Sequence, residues 1–221
     1  MSVAPAPAPP DPAPVTGTAS FAAAVGAGPQ AMADLEAFRL LLAEWNERMN
    51  LVGPSALAEF WPRHAYDSAQ LLAHAPTALR WADLGAGAGF PGLVLAILLK
   101  GRSGATVYLV ETTQKRCRFL QAVVDALNLP AVVCNGRAES QVLKVDIVTA
   151  RALAPLDRLL GYSEPYLKRG ATGLFLKGQD IGSELTEATK CWKFDAFTTP
   201  SLSHPQGRIL TVKGLSRVRK V

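Results

Sequence analysis

The chain has 221 residues, 49% of them apolar, and a formal net charge of +5, which is enough length for one α/β domain with a substantial core. No apolar run of about eighteen residues is free of charges or helix breakers, which excludes a membrane-spanning helix. The proline-interrupted start also lacks the continuous apolar stretch of a secretory signal, so a cytoplasmic location is expected.

Residues 1–30, MSVAPAPAPPDPAPVTGTASFAAAVGAGPQ, carry Asp11 and no other charged side chain. Repeated prolines remove backbone donors and favour extended chain, so this Ala/Pro/Gly tract is expected to be a disordered tail. The positive surplus therefore lies beyond it. It suits an anionic partner such as RNA through counterion release, although an ordinary basic protein has the same balance.

Residues 31–78 read as a helical cap. Leu35, Phe38, Leu41, Leu42, Trp45 and Met49 fall on one helical stripe, with Asp34 as the expected N-cap and Asn50 followed by Gly53-Pro54 as the stop. A second helical piece, PSALAEFWPRHAYDSAQLLAH, follows and contains Pro62.

From residue 79 to 221 strand and helix patterns alternate. LRWADLG, ATVYLVE, AVVCNGRAE, KVDIVTARA and ATGLFLKG read as strands, while PGLVLAILLKG, TQKRCRFLQAVVDALNL and PLDRLLGYSEPYLK read as helices. The closing KFDAFTTPSLSHPQGRILTVKG reads as two strands joined by a loop. This alternation predicts an α/β fold, a mostly parallel sheet with helices on both faces and an antiparallel C-terminal hairpin. Cys117, Cys134 and Cys191 lie far apart with no CxxC and no paired histidines, which argues for a reducing compartment and against structural zinc or a disulfide framework.

The segment DLGAGAGFPG, with a strand before it and a helix after it, stands where open α/β sheets bind their ligands. Two cofactor chemistries compete for it. Gly87, Gly89 and Gly92 spell the GxGxxG of a dinucleotide site, with Glu111 at the end of the next strand to hold a ribose. Here, however, Asp83-Leu84-Gly85 comes first. A carboxylate at that point opposes a pyrophosphate at the helix N-terminus and suits a cationic ligand instead. S-adenosylmethionine has a sulfonium, an ammonium, a ribose diol and no phosphate. The acidic pair Asp83 and Glu111 favours it.

ADLGAGAGFPGLVLAI, KRCRFLQAVV, GRAE, DIVTARALAPLDRLL and LFLKG follow in this order, behind WNERMNLVGPS and RHAYDSAQLL. In this ordered set the sequence resembles the bacterial small-subunit rRNA guanine-N7 methyltransferases, the RsmG or GidB family, over about residues 35–215. The resemblance implies a Rossmann-like class I methyltransferase with a seven-stranded sheet. It also implies S-adenosylmethionine as cofactor, and as acceptor N7 of a guanine in 16S rRNA, free or on a small ribosomal subunit particle. No membrane and no metal are expected, and a monomer.

Carried over by residue, the resemblance puts Gly85, Phe90, Gly87 and Gly89 at the cofactor, Glu111 at its ribose, and Ala138 and Glu139 at its adenine, with Asp83 beside them. Arg151 matches an arginine of the cofactor site; it also suits an RNA phosphate, or an ion pair with Asp83 or Glu139. Asn50, Arg63, His64, Arg116, Arg137 and Lys177 are candidates for positioning the substrate. A solvated face, an Arg63–Asp67 pair or a structural His64 are the ordinary alternatives. Guanine N7 offers a lone pair and no proton, so the chemistry requires no general base. Cys117 and Cys134 read as buried hydrophobes. The Asn/Asp-Pro-Pro-aromatic run of amino-group methyltransferases is absent, and ARALAP stands in its place. The competing readings are a methyltransferase with another RNA or small-molecule acceptor, an NAD-binding oxidoreductase, and an RNA-binding protein with a vestigial cofactor pocket.

Overall fold

The computed structural model describes residues 14–218. Order begins earlier than composition suggests. Thr18–Val25 forms a helix, α1, which ends at Gly26 in the left-handed region (φ 64°). Its Phe21 is fully buried, with its ring 5.3 Å from that of Trp61. The disordered tail expected over 1–30 is thereby corrected for residues 14–30, while residues 1–13 lie outside the described residues. The physical reason is that no proline stands between Pro14 and Pro29. The intervening Ala-rich segment is free to form a helix and has one large apolar side chain to anchor it.

Helix α2, Pro29–Met49, starts with proline at its first turn and ends at Asn50 in the left-handed conformation (φ 49°). Asp34 is not its N-cap. It sits inside the helix, buried, and accepts hydrogen bonds from Lys100 Nζ and Gln30 Nε2, both at 2.9 Å. A π-helical turn over Phe60–Ala65, which contains Pro62, runs directly into α3, Tyr66–His74.

The sheet elements follow as β1 (Arg80–Leu84), α4 (Gly92–Leu99), β2 (Thr106–Glu111), α5 (Gln114–Leu127), β3 (Ala131–Asn135), β4 (Ile147–Arg151), α6 (Leu156–Leu167), β5 (Thr172–Lys177), α7 (Ile181–Thr189), β6 (Trp192–Pro200) and β7 (Arg208–Arg217). Helix α7 was not legible as an element, yet it buries Ile181 and Ala188 at a helical spacing of seven. The strand order is β3-β2-β1-β4-β5-β7-β6. All neighbours are parallel except β7, which runs antiparallel to both β5 and β6.

Central strands are covered on both faces, and so Trp81, Ala82 and Leu84 of β1 are all fully buried. On one face, Leu35, Phe38 and Phe60 share a single cluster with Trp81, Leu93 and Phe119. On the other, Leu156, Leu159 and Leu160 of α6 meet Val148, Phe175 and Leu210. The strand order turns back between β1 and β4, which opens a crevice at their carboxyl ends.

Candidate active site

The loop after β1 fills that crevice with bare backbone. Gly85 has φ 71°, and a Cβ there would lie 2.5 Å from Leu153 Cδ1. A Cβ on Gly92 would lie 2.6 Å from Asp83 Oδ2 and 2.3 Å from Leu109 Cδ2. Both positions therefore require glycine, the first for conformation and contact, the second for contact alone. Asp83 has no solvent exposure. Its Oδ2 accepts the Gly92 N–H at 2.8 Å, while Oδ1 has no partner among the described residues. Burial pushes its carboxyl up to about 7, against the opposing pull of the Gly92 N–H and Arg151.

A cavity of about 620 Å³ opens above this loop, lined by Gly85, Glu111, Arg116, Ala138, Glu139 and Leu153 among others. Its size suits a nucleoside-sized ligand. Glu111 joins two of its walls: Oε2 accepts the Gly87 N–H at 3.0 Å and Oε1 the Thr113 N–H at 2.8 Å. Arg116 stands 3.8 Å from the same carboxylate. On the opposite wall Tyr166 donates its hydroxyl to the Ala138 carbonyl at 2.8 Å, which fixes the turn carrying Ala138 and Glu139.

A second cavity, of about 750 Å³, lies beside the first and shares Ala152 and Leu153 with it. Ala152 is held at φ 51°, a left-handed conformation that costs an L-residue about 1–2 kcal/mol. Arg63, His64, Asp67, Arg151 and Lys177 line this second cavity. Arg151 donates from Nη2 to His64 Nδ1, and its Nη1 stands 3.8 Å from Asp67 Oδ2. Asp67 Oδ1 in turn accepts from Ser201 Oγ at 2.9 Å and Ser203 Oγ at 2.8 Å. Gln70 accepts the Leu202 N–H at 2.7 Å, so the loop between β6 and β7 is docked on α3. Burial, then Arg151 and Arg63, lower the His64 pKa to about 4 and keep the ring neutral near pH 7. Lys177 Nζ lies 2.5 Å from Glu184 Oε2 and donates to the Ala154 carbonyl at 3.2 Å. Arg63 Nη1 is buried without a partner among the described residues.

The structure thus brings Gly85, Glu111, Arg116, Arg137, Ala138 and Glu139 to the first cavity, and Arg63, His64, Arg151 and Lys177 to the second. Gly87 reaches the first through its bond to Glu111, whereas Gly89 turns the chain against Leu93. Three of the expected residues are not among those lining either cavity. Asp83 is sealed beneath the loop and lines neither cavity. Phe90 is buried among Phe38, Phe60 and His64, with ring centres 5.3, 5.8 and 5.0 Å away, because it faces the helical cap. Asn50 caps α2 on the exposed surface and stands in neither cavity. Arg151 pairs with Asp67 and His64, not with Asp83 or Glu139 as an ion pair. Asp67, Gln70, Ser201, Ser203 and Glu184 were not singled out as site residues. Ser201 lies 134 positions from Asp67, so no local pattern marks the contact. Cys117 is buried and accepts from Asn135 Nδ2 at 3.2 Å. No group of three or more His, Cys, Asp or Glu side chains among the described residues is placed to hold a metal.

Strand order, the glycine loop after β1 and the carboxylate ending β2 define an S-adenosylmethionine-dependent class I methyltransferase. The residues present fit that cofactor: bare backbone at Gly85, an acceptor for a diol at Glu111, and a fixed turn at Ala138. Residues 31–211 match the family described as GidB, rRNA small subunit methyltransferase G. The ribosomal RNA small subunit methyltransferase G of Caulobacter vibrioides (strain NA1000 / CB15N) is 62% identical over 199 residues, covering 90% of this chain and 92% of the relative. That of Methylorubrum populi is 48% identical over 187 residues, covering 83% and 89%. Among solved structures, an O-methyltransferase from Bacillus cereus in complex with SAH superposes with a TM-score of 0.55 at 17% identity, covering 82% of this chain and 91% of that one. A putative O-methyltransferase from Klebsiella pneumoniae gives 0.57 at 12%, covering 89% and 96%. These two share the fold. The chain belongs to the rRNA small subunit methyltransferase G family.

Proposed function

We propose that this protein transfers a methyl group from S-adenosylmethionine to N7 of a guanine in small-subunit (16S) rRNA, presented on a small ribosomal subunit, in the cytoplasm and as a monomer. The observation that carries the reading is the pair of cavities that meet at Ala152 and Leu153, one fitted to a nucleoside cofactor and the other open beside it. When bound, the cofactor supplies an electrophilic methyl group on a sulfonium. Gly85 and Gly87 bring backbone close to it, Glu111 holds its ribose hydroxyls, and Ala138 and Glu139 address its adenine by backbone and carboxylate. Asp83 acts from below, by fixing the start of α4 and so the shape of the loop.

The second cavity takes the acceptor base, which must leave its stack to reach it. Because N7 carries no proton, no side chain has to remove one. His64, bonded to Arg151 at Nδ1, is not needed as a base. The guanidinium of Arg63, on the wall of this cavity, supplies a donor for guanine O6, where adenine presents an amino group. Lys177 is committed to Glu184 and Ala154, and thereby holds the chain at the boundary of the two cavities. Among the described residues no helix is long and apolar enough to cross a membrane.

The test is transfer of tritiated methyl from S-adenosylmethionine to small subunits from a strain lacking the enzyme, with free small-subunit rRNA and large subunits alongside. Label confined to small-subunit material and recovered as 7-methylguanosine is the expected result. Binding of S-adenosylhomocysteine without transfer to any of these overturns the acceptor. A thermal shift with NADH and none with S-adenosylhomocysteine overturns the cofactor.

A further inference from the structure

His64 is enclosed on two sides. Phe90 lies against it with ring centres 5.0 Å apart and planes inclined by 32°, and Arg151 occupies its Nδ1 edge. Yet it also forms part of the second cavity's wall. The ring is only partly buried, so the surface it gives the cavity is what these two contacts leave uncovered. Behind the ring stands a continuous aromatic support: Phe90 rests on Phe38 and Phe60 at 5.3 and 5.8 Å. A ring so braced cannot tilt without disturbing the cap, which makes it a rigid platform at the mouth of the acceptor space.

We propose that the open face of His64 is the surface on which the extruded guanine stacks, and that it supports the positive charge that methylation places on the purine. The proposal rests on the reading above. In the transfer, the N7 lone pair forms the bond to the methyl carbon while the carbon–sulfur bond breaks with its electrons going to sulfur. No proton moves, and the positive charge passes to the purine. An uncharged aromatic face attracts a cationic ring, whereas an imidazolium repels it. The groups around His64 keep it in the useful state. Burial, then Arg151 and Arg63, lower its basicity, and Arg151 fills the nitrogen that would otherwise take a proton, while Asp67 pairs with Arg151.

The experiment uses the full chain and three variants: H64F keeps an aromatic face and loses the acceptor, H64Q offers Arg151 an amide acceptor and loses the face, and H64L keeps only apolar bulk. Each is measured for S-adenosylhomocysteine Kd and for kcat and KM on small subunits. The expected pattern is a Kd close to that of the unaltered protein in all three. H64F should stay within about threefold of its kcat/KM, with H64Q and H64L lower by roughly ten- to a hundredfold, the scale of one base–aromatic stack. Equal loss in H64F and H64L, or retained activity in H64Q, overturns the proposal and assigns His64 to holding Arg151. Absence of transfer by the unaltered protein overturns the methyltransferase reading itself, and the stacking role with it.

Discussion

With no solvent exposure and a carboxyl pushed up to about 7, Asp83 holds a proton in the folded chain over a pH range in which the unfolded chain has already released it. Between about pH 4 and 7 the native state binds more protons than the unfolded one at this site, so the contribution of Asp83 to stability falls as pH rises through that window. Asp83→Asn keeps an oxygen for the Gly92 N–H and removes the ionisation. The unfolding free energy of the variant is expected to gain on that of the unaltered protein as pH rises from 5 to 8, by an amount on the order of 2–4 kcal/mol, and its melting temperature to rise with it. Thermal denaturation across that range checks it, and a difference independent of pH overturns it. His64 acts in the opposite sense, because its folded pKa of about 4 lies below the unfolded value and its contribution grows as pH rises. That contribution is common to both proteins and drops out of the comparison. The sequence offered Asp83 as a charge for the cofactor; desolvation, which no sequence pattern displays, makes it a buried acid instead. Asn50 also sits in a recognisable motif, and its tolerance of the left-handed conformation explains its place at the end of α2.

The strands and helices around the site were legible because their signals are local: apolar runs bounded by glycine, and a glycine loop between strand and helix. The loop from β6 to β7 was legible only as a connection. Its role comes from docking on α3, where Asp67 receives two serine hydroxyls while also facing Arg151. Asp67→Ala should release this loop and leave the cofactor cavity intact. Faster amide exchange over 201–207 is expected, together with a severalfold higher KM for small subunits and an unchanged Kd for S-adenosylhomocysteine. Hydrogen-exchange mass spectrometry and steady-state kinetics read the two effects, and a rise in cofactor Kd without faster exchange overturns this assignment. Helix α1 is hidden for a different reason: the composition of residues 1–30 is dominated by prolines that stop at Pro14 and resume at Pro29. The short segment between them folds because Phe21 finds Trp61.

Across the whole molecule, a surplus of basic side chains and a polyanionic acceptor make the encounter electrostatic. The value of kcat/KM for small subunits is expected to fall by roughly tenfold or more between about 50 and 200 mM salt, as released counterions dictate. The Kd of S-adenosylhomocysteine, which carries no phosphate, should change little. A flat salt profile on subunits overturns an RNA-facing surface. The alternation of strands and helices made the sheet foreseeable, but not the position of its last strand. Although β7 comes last among the described strands, it lies inside the sheet, between β5 and β6, and β6 is attached through β7 alone. Until residues 208–217 are available, a growing chain holds an open edge at β5 and a strand with no place to pair. Closure must then span the sequence between Lys177 and Arg208, a non-local step that is slow and aggregation-exposed by nature. A chain that stops between Pro200 and Arg208 would therefore leave β5 and β6 without their shared partner, a burden for the chaperones and proteases that meet the chain during synthesis.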